Sequence, residues 1–206
     1  MPGLFITLEG GDGSGKSTQM GALTAWLQQQ GRTVVQSREP GGTDLGLELR
    51  EIVLHSRGEV TARAEALLYA ADRAHHVATV VRPALERGDV VIQDRYLDSS
   101  VAYQGAGRVL DPTEVRDLSL WATEGLLPHL TVLLDLEPAL GRERLEVSRT
   151  RYDRLESAPD DFHERVRQAY LALAADEPER FLVLDATRPV DELQQSIRSR
   201  VSHLLG

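Results

Sequence analysis

The run Gly10-Gly11-Asp12-Gly13-Ser14-Gly15-Lys16-Ser17 constrains this chain more than any other stretch. It fits G-x-x-x-x-G-K-[ST], a loop whose glycines let the backbone curl until its N–H groups point inward at phosphate oxygens. Such a loop needs a strand before it and a helix after it, and both are legible. Leu4-Phe5-Ile6-Thr7-Leu8-Glu9 reads as a buried strand. Ser17-Thr18 then opens a helix with Met20, Leu23 and Leu27 on one face. The positive end of that helix adds to the anion site. Lys16 is expected to reach the β- and γ-phosphates of a nucleoside triphosphate, and the Ser17 hydroxyl to ligate Mg²⁺. At ordinary residue frequencies a chain of this length matches the pattern by chance roughly once in a hundred cases. The strand–loop–helix context lowers that further. The chain has 22 Arg and one Lys, and the lysine is Lys16. A compact ammonium on a flexible stem is not replaceable there by a planar guanidinium.

The rest of the chain alternates in the same way. Apolar runs at 33–37, 89–93, 130–136 and 181–185 read as further strands. Helical spacing joins Leu49, Ile52 and Val53, then Val77, Val80, Val81 and Ala84. Asp111-Pro112-Thr113-Glu114 starts another helix, Pro138 one more, and Phe162, Val166, Tyr170 and Leu173 lie on the next. This predicts an α/β fold, a five-stranded parallel sheet with helices on both faces. Residues 142–161 are highly charged, with few large apolar side chains. They read as a lid segment within a single domain spanning 1–206.

Composition excludes several functions. With no cysteine there are no disulfides, thiolate zinc sites or cysteine nucleophiles. A net charge of −9 lacks the basic face of a duplex-binding protein, so nucleic acid is not expected as a partner. No stretch has the length of a membrane span and the N-terminus has no basic leader, which points to a cytoplasmic protein. The six histidines show no metal spacing and read as structural or solvated.

A phosphate loop alone does not separate kinases from switches or motors. The series EGGDGSGKST, REPGGT, LLYAADR, DRYLDSSVAYQG, DRLE and VLDAT does more. In that order, from Phe5 to about Ala186, the chain resembles the thymidylate kinases of the bacterial type. The resemblance implies the nucleoside monophosphate kinase version of the P-loop fold. It also implies transfer of the γ-phosphoryl group of MgATP to thymidine 5′-monophosphate (dTMP), and a homodimer.

Residue roles follow from the same resemblance. Gly10 to Thr18 would bind ATP. Glu39 and Pro40 would lie beside the monophosphate, with Glu39 near the metal. Tyr69 would stack on thymine, and Arg73, four residues on, would donate to its O4, a bond that cytosine's amino group cannot accept. Asp94 would hold Mg²⁺ with Ser17. Arg95 would grip the acceptor phosphate with its planar fork. Ser99, Ser100, Tyr103 and Gln104 would line the acceptor pocket, and Tyr103 would crowd a ribose 2′-OH. Asp12 would position the acceptor rather than abstract a proton. Some relatives carry an arginine in the loop where Gly13 stands here. Lid arginines should therefore supply that charge, with Arg149, Arg151 and Arg154 as candidates and Arg142 stacking on adenine. The alternatives are a kinase of another nucleotide or deoxynucleoside and, in a different class, a nucleotide-dependent switch.

Overall fold

The computed structural model describes residues 3–56, 58–148 and 153–206. Five parallel strands organise them: β1 (Leu4–Glu9), β2 (Val34–Arg38), β3 (Val90–Asp94), β4 (Leu130–Asp135) and β5 (Phe181–Asp185). Their order is β2-β3-β1-β4-β5, so the strand that feeds the phosphate loop lies at the centre. β2 and β3 run one residue later than the apolar runs suggest, because Arg38 and Leu8 both pair with Asp94. All strand C-termini share one edge, where ligands bind in sheets of this kind.

The nine α-helices among the described residues are α1 (Lys16–Gln29), α2 (Asp44–His55), α3 (Ala62–His76), α4 (Arg82–Glu86), α5 (Leu97–Ser100), α6 (Pro112–Ala122), α7 (Pro138–Ser148), α8 (Asp160–Asp176) and α9 (Val190–Leu205). Strand periodicity divides the core between two faces. Leu4, Ile6 and Leu8 pack with Leu23 and Leu27 of α1 and Leu193, Ile197 and Val201 of α9. Phe5 and Val91 pack on the other face, with Val77, Val81, Tyr96 and Leu97. Glu9 shares the Phe5 side of β1, and that alternation puts a carboxyl into the interior.

Helix ends follow local chemistry. Asp111 caps α6 by accepting from Thr113 N–H at 2.8 Å, and Thr43 caps α2 by accepting from Gly46 N–H at 2.9 Å. The helical run that holds Val77, Val80, Val81 and Ala84 starts earlier, at Ala62, and continues to Glu86, but it is wider at Val77–Val81, where it turns π-helical. Pro83, just beyond, has no N–H to give the regular ladder. The charged insert is helical at first, since α7 carries it to Ser148. It resumes in a turn where Asp153 Oδ1 accepts from Leu155 and Glu156 N–H, both at 2.8 Å. Among the described residues no helix is long and apolar enough to cross a membrane.

Candidate active site

The phosphate loop turns on three left-handed glycines, Gly10, Gly13 and Gly15, at φ +129°, +77° and +93°. Two are also pressed against neighbours. A Cβ on Gly10 would stand 2.4 Å from Leu134 O, and one on Gly13 2.4 Å from Gly141 O. The loop is therefore seated between β4 and α7, with no room for a side chain at position 13. Lys16 Nζ donates to its own loop, to Gly10 O at 3.1 Å and Gly11 O at 2.9 Å. Burial, then the charge of Arg95, lowers the pKa of this ammonium. Ser17 and Thr18 are exposed at the mouth, while the Ser14 hydroxyl is buried without a partner among the described residues.

A cleft of about 480 Å³ opens beside the loop, within the roughly 300–1,000 Å³ typical of small-molecule sites. Asp12, Gly13, Gly15, Lys16, Ser17 and Thr18 line one side. Glu39, Pro40, Tyr69, Arg73, Asp94, Arg95, Ser99, Tyr103 and Gln104 line the other. Gly10, Gly11 and Ser14 are set back from it.

Arg95 is the centre of the wall facing the loop. It follows β3 in the left-handed region at φ +67°, a conformation that costs a non-glycine residue about 1–2 kcal/mol. Its Nη2 donates to Asp12 Oδ1 at 2.6 Å and its Nη1 to Ser99 Oγ and Tyr170 Oη at 3.4 Å each. Burial pushes the Asp12 carboxyl up, but Arg95 and Lys16 outweigh it and hold the pKa at about 2. A carboxylate so acidic orients its partners and is a poor proton acceptor. The Arg95 guanidinium also lies 4.9 Å from the Tyr103 ring centroid. Tyr103 Oη and Asp94 Oδ1 are buried without a hydrogen-bond partner among the described residues.

Tyr69 and Arg73 share a helix face as their spacing predicts. Arg73, however, is almost wholly spoken for. Nε donates to Glu39 Oε2 at 2.7 Å, Nη1 to Ser119 Oγ at 3.0 Å, and Nη2 to Tyr96 O at 3.2 Å and Ser100 Oγ at 3.1 Å. Of its five N–H groups, one on Nη1 remains for a base. Glu39 is likewise engaged through both oxygens, since His76 Nδ1 is 2.9 Å from Oε1. In this geometry Glu39 serves Arg73 and His76. The hydroxyls of Ser99 and Ser100 and the amide of Gln104, which donates to Glu65 Oε1 at 2.8 Å, also serve protein partners. They shape the pocket through the arginines and the buried carboxyls.

The lid arginines separate. Arg144 lines the cleft, and it donates to Gly13 O at 3.3 Å and Ala186 O at 3.1 Å. Arg142, expected to stack on adenine, pairs with Asp160 at the start of α8 and lines a smaller cavity behind Gly10, Gly11 and Asp12. Helical geometry explains the difference, since two residues apart on α7 face different ways. Arg154 is turned from the cleft toward Val53 O at 2.8 Å and the buried Glu65 carboxylate. Arg149 and Arg151 lie outside the described residues. Sequence reading passed over Glu9, Tyr170, Glu65 and Arg144. The signal for Glu9 was available, a carboxylate closing an apolar strand directly before the loop.

Comparison with known proteins agrees with this geometry. A family profile described as thymidylate kinase matches residues 8–197. A thymidylate kinase of Leifsonia xyli subsp. xyli is 73% identical, covering 97% of this chain and 95% of the relative. One from Deinococcus radiodurans is 56% identical, covering 97% of each. The crystal structure of thymidylate kinase from Ehrlichia chaffeensis superposes with a TM-score of 0.79 at 28% identity, covering 98% of this chain and 99% of that one. With its phosphate loop, its sheet order and these full-length matches, this chain belongs to the thymidylate kinase family.

Proposed function

We propose that this protein transfers the γ-phosphoryl group of ATP to dTMP, giving dTDP and ADP, in the supply of dTTP. The observation that carries the reading is a single cleft in which the loop lysine, Lys16, faces the Arg95–Asp12 pair, with Tyr69 and Arg73 on the same wall. An acceptor phosphate oxygen attacks the γ-phosphorus, and the bond to the β–γ bridging oxygen breaks. A phosphate dianion needs no general base, which agrees with the low pKa of Asp12. Catalysis is then positioning and charge neutralisation. Lys16 and the loop N–H groups hold the donor, Arg95 holds the acceptor, and Asp12 fixes Arg95 relative to the loop. Tyr69 stacks on the base, the remaining Arg73 N–H reaches its O4, and Tyr103 closes on the sugar.

Ser17 and Asp94 would hold Mg²⁺, and the buried Asp94 Oδ1, without a hydrogen-bond partner among the described residues, fits an ion or its water. When bound, the ion neutralises charge on the β- and γ-phosphates. The lid, about 142–161 within one domain, brings Arg144 to the donor side and draws its further charge from Arg149, Arg151 or Arg154. A homodimer is supported by the outer row of α3 and its continuation, where Leu67, Ala71, Ala74 and Ala78 make a narrow, small-residue apolar seam. We read the enzyme as cytoplasmic and free of nucleic acid.

A coupled ATP-to-ADP assay across nucleoside monophosphates tests the reading. Turnover should be fastest with dTMP. Good turnover of another acceptor with none of dTMP would replace the substrate. Hydrolysis stimulated by DNA or a partner protein, with no acceptor phosphorylated, would favour a switch or motor.

A further inference from the structure

Glu9 ends β1 fully buried, and no step above uses it. Its Oε1 accepts from Tyr96 N–H at 2.7 Å. Its Oε2 lies 2.6 Å from Ser99 Oγ and 2.9 Å from Tyr170 Oη, and those two hydroxyls are 2.7 Å apart. Both hydroxyls accept from Arg95 Nη1. One carboxyl thus joins β1, α5 and α8 to the guanidinium that faces the acceptor.

The same contacts hold the strained backbone of Arg95. Its N–H donates to Leu8 O at 3.0 Å, its carbonyl accepts from Gln93 Nε2 at 2.9 Å, and the next N–H, that of Tyr96, is the one Glu9 takes. A left-handed non-glycine residue persists where its surroundings over-determine it, and such residues concentrate at functional sites.

A hydrogen count shows which form of Glu9 fits. Glu9 Oε2, Ser99 Oγ and Tyr170 Oη form a triangle of three short contacts. Each hydroxyl supplies one hydrogen, and an ionised carboxylate supplies none. Two hydrogens cannot fill three contacts, but a protonated Glu9 supplies the third. The surroundings agree. Burial first, then the charge of Asp98, raises the Glu9 pKa to about 7 against the opposing pull of Ser99, Arg95 and Tyr170. Lys16 on α1 and Tyr103 on the π-helical stretch after α5 also face it, and Asp98 is itself paired with Arg180. A dianionic phosphate arriving at Arg95 would favour the neutral carboxyl further.

We propose that Glu9 is a positioning residue for the acceptor: as a neutral carboxyl it locks Tyr96 N–H, Ser99 and Tyr170 into one unit that aims Arg95 at the acceptor phosphate, and its ionisation loosens that unit. This rests on the kinase reading above. The test is the pH profile of wild type, Glu9→Gln and Tyr170→Phe from about pH 6 to 9, with kcat and both KM values and the dTMP Kd by calorimetry. In wild type, kcat/KM for dTMP falls as pH rises through about 7, while the KM for ATP moves less. Glu9→Gln, neutral throughout, loses the fall. Tyr170→Phe removes a bond that favours the ionised form, so its fall shifts to higher pH, and its dTMP KM and Kd rise about fivefold. A fall at the same pH in all three proteins, or none in wild type, overturns the proposal. If Glu9→Gln does not fold, the shift in Tyr170→Phe decides alone. A wild-type protein that does not phosphorylate dTMP at all would defeat the kinase reading, a result separate from these.

Discussion

Arg95 and Asp12, 83 positions apart in the chain, meet at 2.6 Å across the mouth of the cleft. One comes from the end of β3 and the other from inside the phosphate loop. The pair therefore ties the end of β3 directly to the phosphate loop; on the proposed reading it sets acceptor and donor phosphates in register. It is part-buried, with side chains 18% and 27% exposed, so water only partly screens it.

Arg95→Lys keeps the charge but loses the fork that reaches Asp12, Ser99 and Tyr170 together. We expect kcat/KM for dTMP to fall by about a hundredfold, roughly 2.7 kcal/mol, with the KM for ATP little changed. Steady-state kinetics with each substrate varied in turn checks this. Equal losses for both substrates would mean that Arg95 supports the whole cleft rather than the acceptor.

Arg73 and Tyr69 should differ in kind. Arg73→Ala strands Glu39 in the interior with His76, so stability should drop by about 3–5 kcal/mol in denaturant unfolding. Tyr69→Leu leaves no buried charge unpaired. Its stability cost should stay near 1–2 kcal/mol, while the dTMP KM rises about tenfold from lost stacking. A stable Arg73→Ala protein would show that Arg73 serves the base alone.

Gly13→Ala meets two obstacles, a φ of +77° and a 2.4 Å approach to Gly141 O. The expected loss is about 1–3 kcal/mol of stability, together with lower kcat as α7 is pushed from the loop. Gly11 has an ordinary φ and nothing within 4 Å, so Gly11→Ala should leave the melting transition within about 0.5 kcal/mol of wild type. Thermal unfolding of the two proteins side by side tests the steric account.

In the lid, Arg149→Ala, Arg151→Ala and Arg154→Ala made singly should include at least one with kcat reduced about a thousandfold, the scale of an arginine at a transferring phosphate. Arg144→Ala, which loses the contacts to Gly13 O and Ala186 O, should instead raise the KM for ATP. If none of the first three lowers kcat, the charge at the γ-phosphate comes from elsewhere.

Local pattern was enough for the strand–loop–helix at 4–29 and the five strands, because hydrophobic period and loop glycines act over a few neighbours; the residues of the cleft wall came from the family resemblance. Pairing shifted strand ends by a residue, since Asp94 must match Leu8 and Arg38. What a polar side chain does was legible only in part. Nothing in the letters Glu39 and Arg73 announces their 2.7 Å bond, 34 positions apart. Arg142 and Arg144 are indistinguishable as letters, yet one meets Asp160 and the other the phosphate loop. So the sequence alone determined the fold class and the phosphate chemistry, both set by backbone geometry and periodicity. Tertiary structure alone decided which carboxyl meets which guanidinium, because burial leaves each charge to the partners that the fold brings within reach. Glu9 is the plainest case, a strand residue by pattern and, through Ser99 and Tyr170, a neighbour of Arg95 by packing.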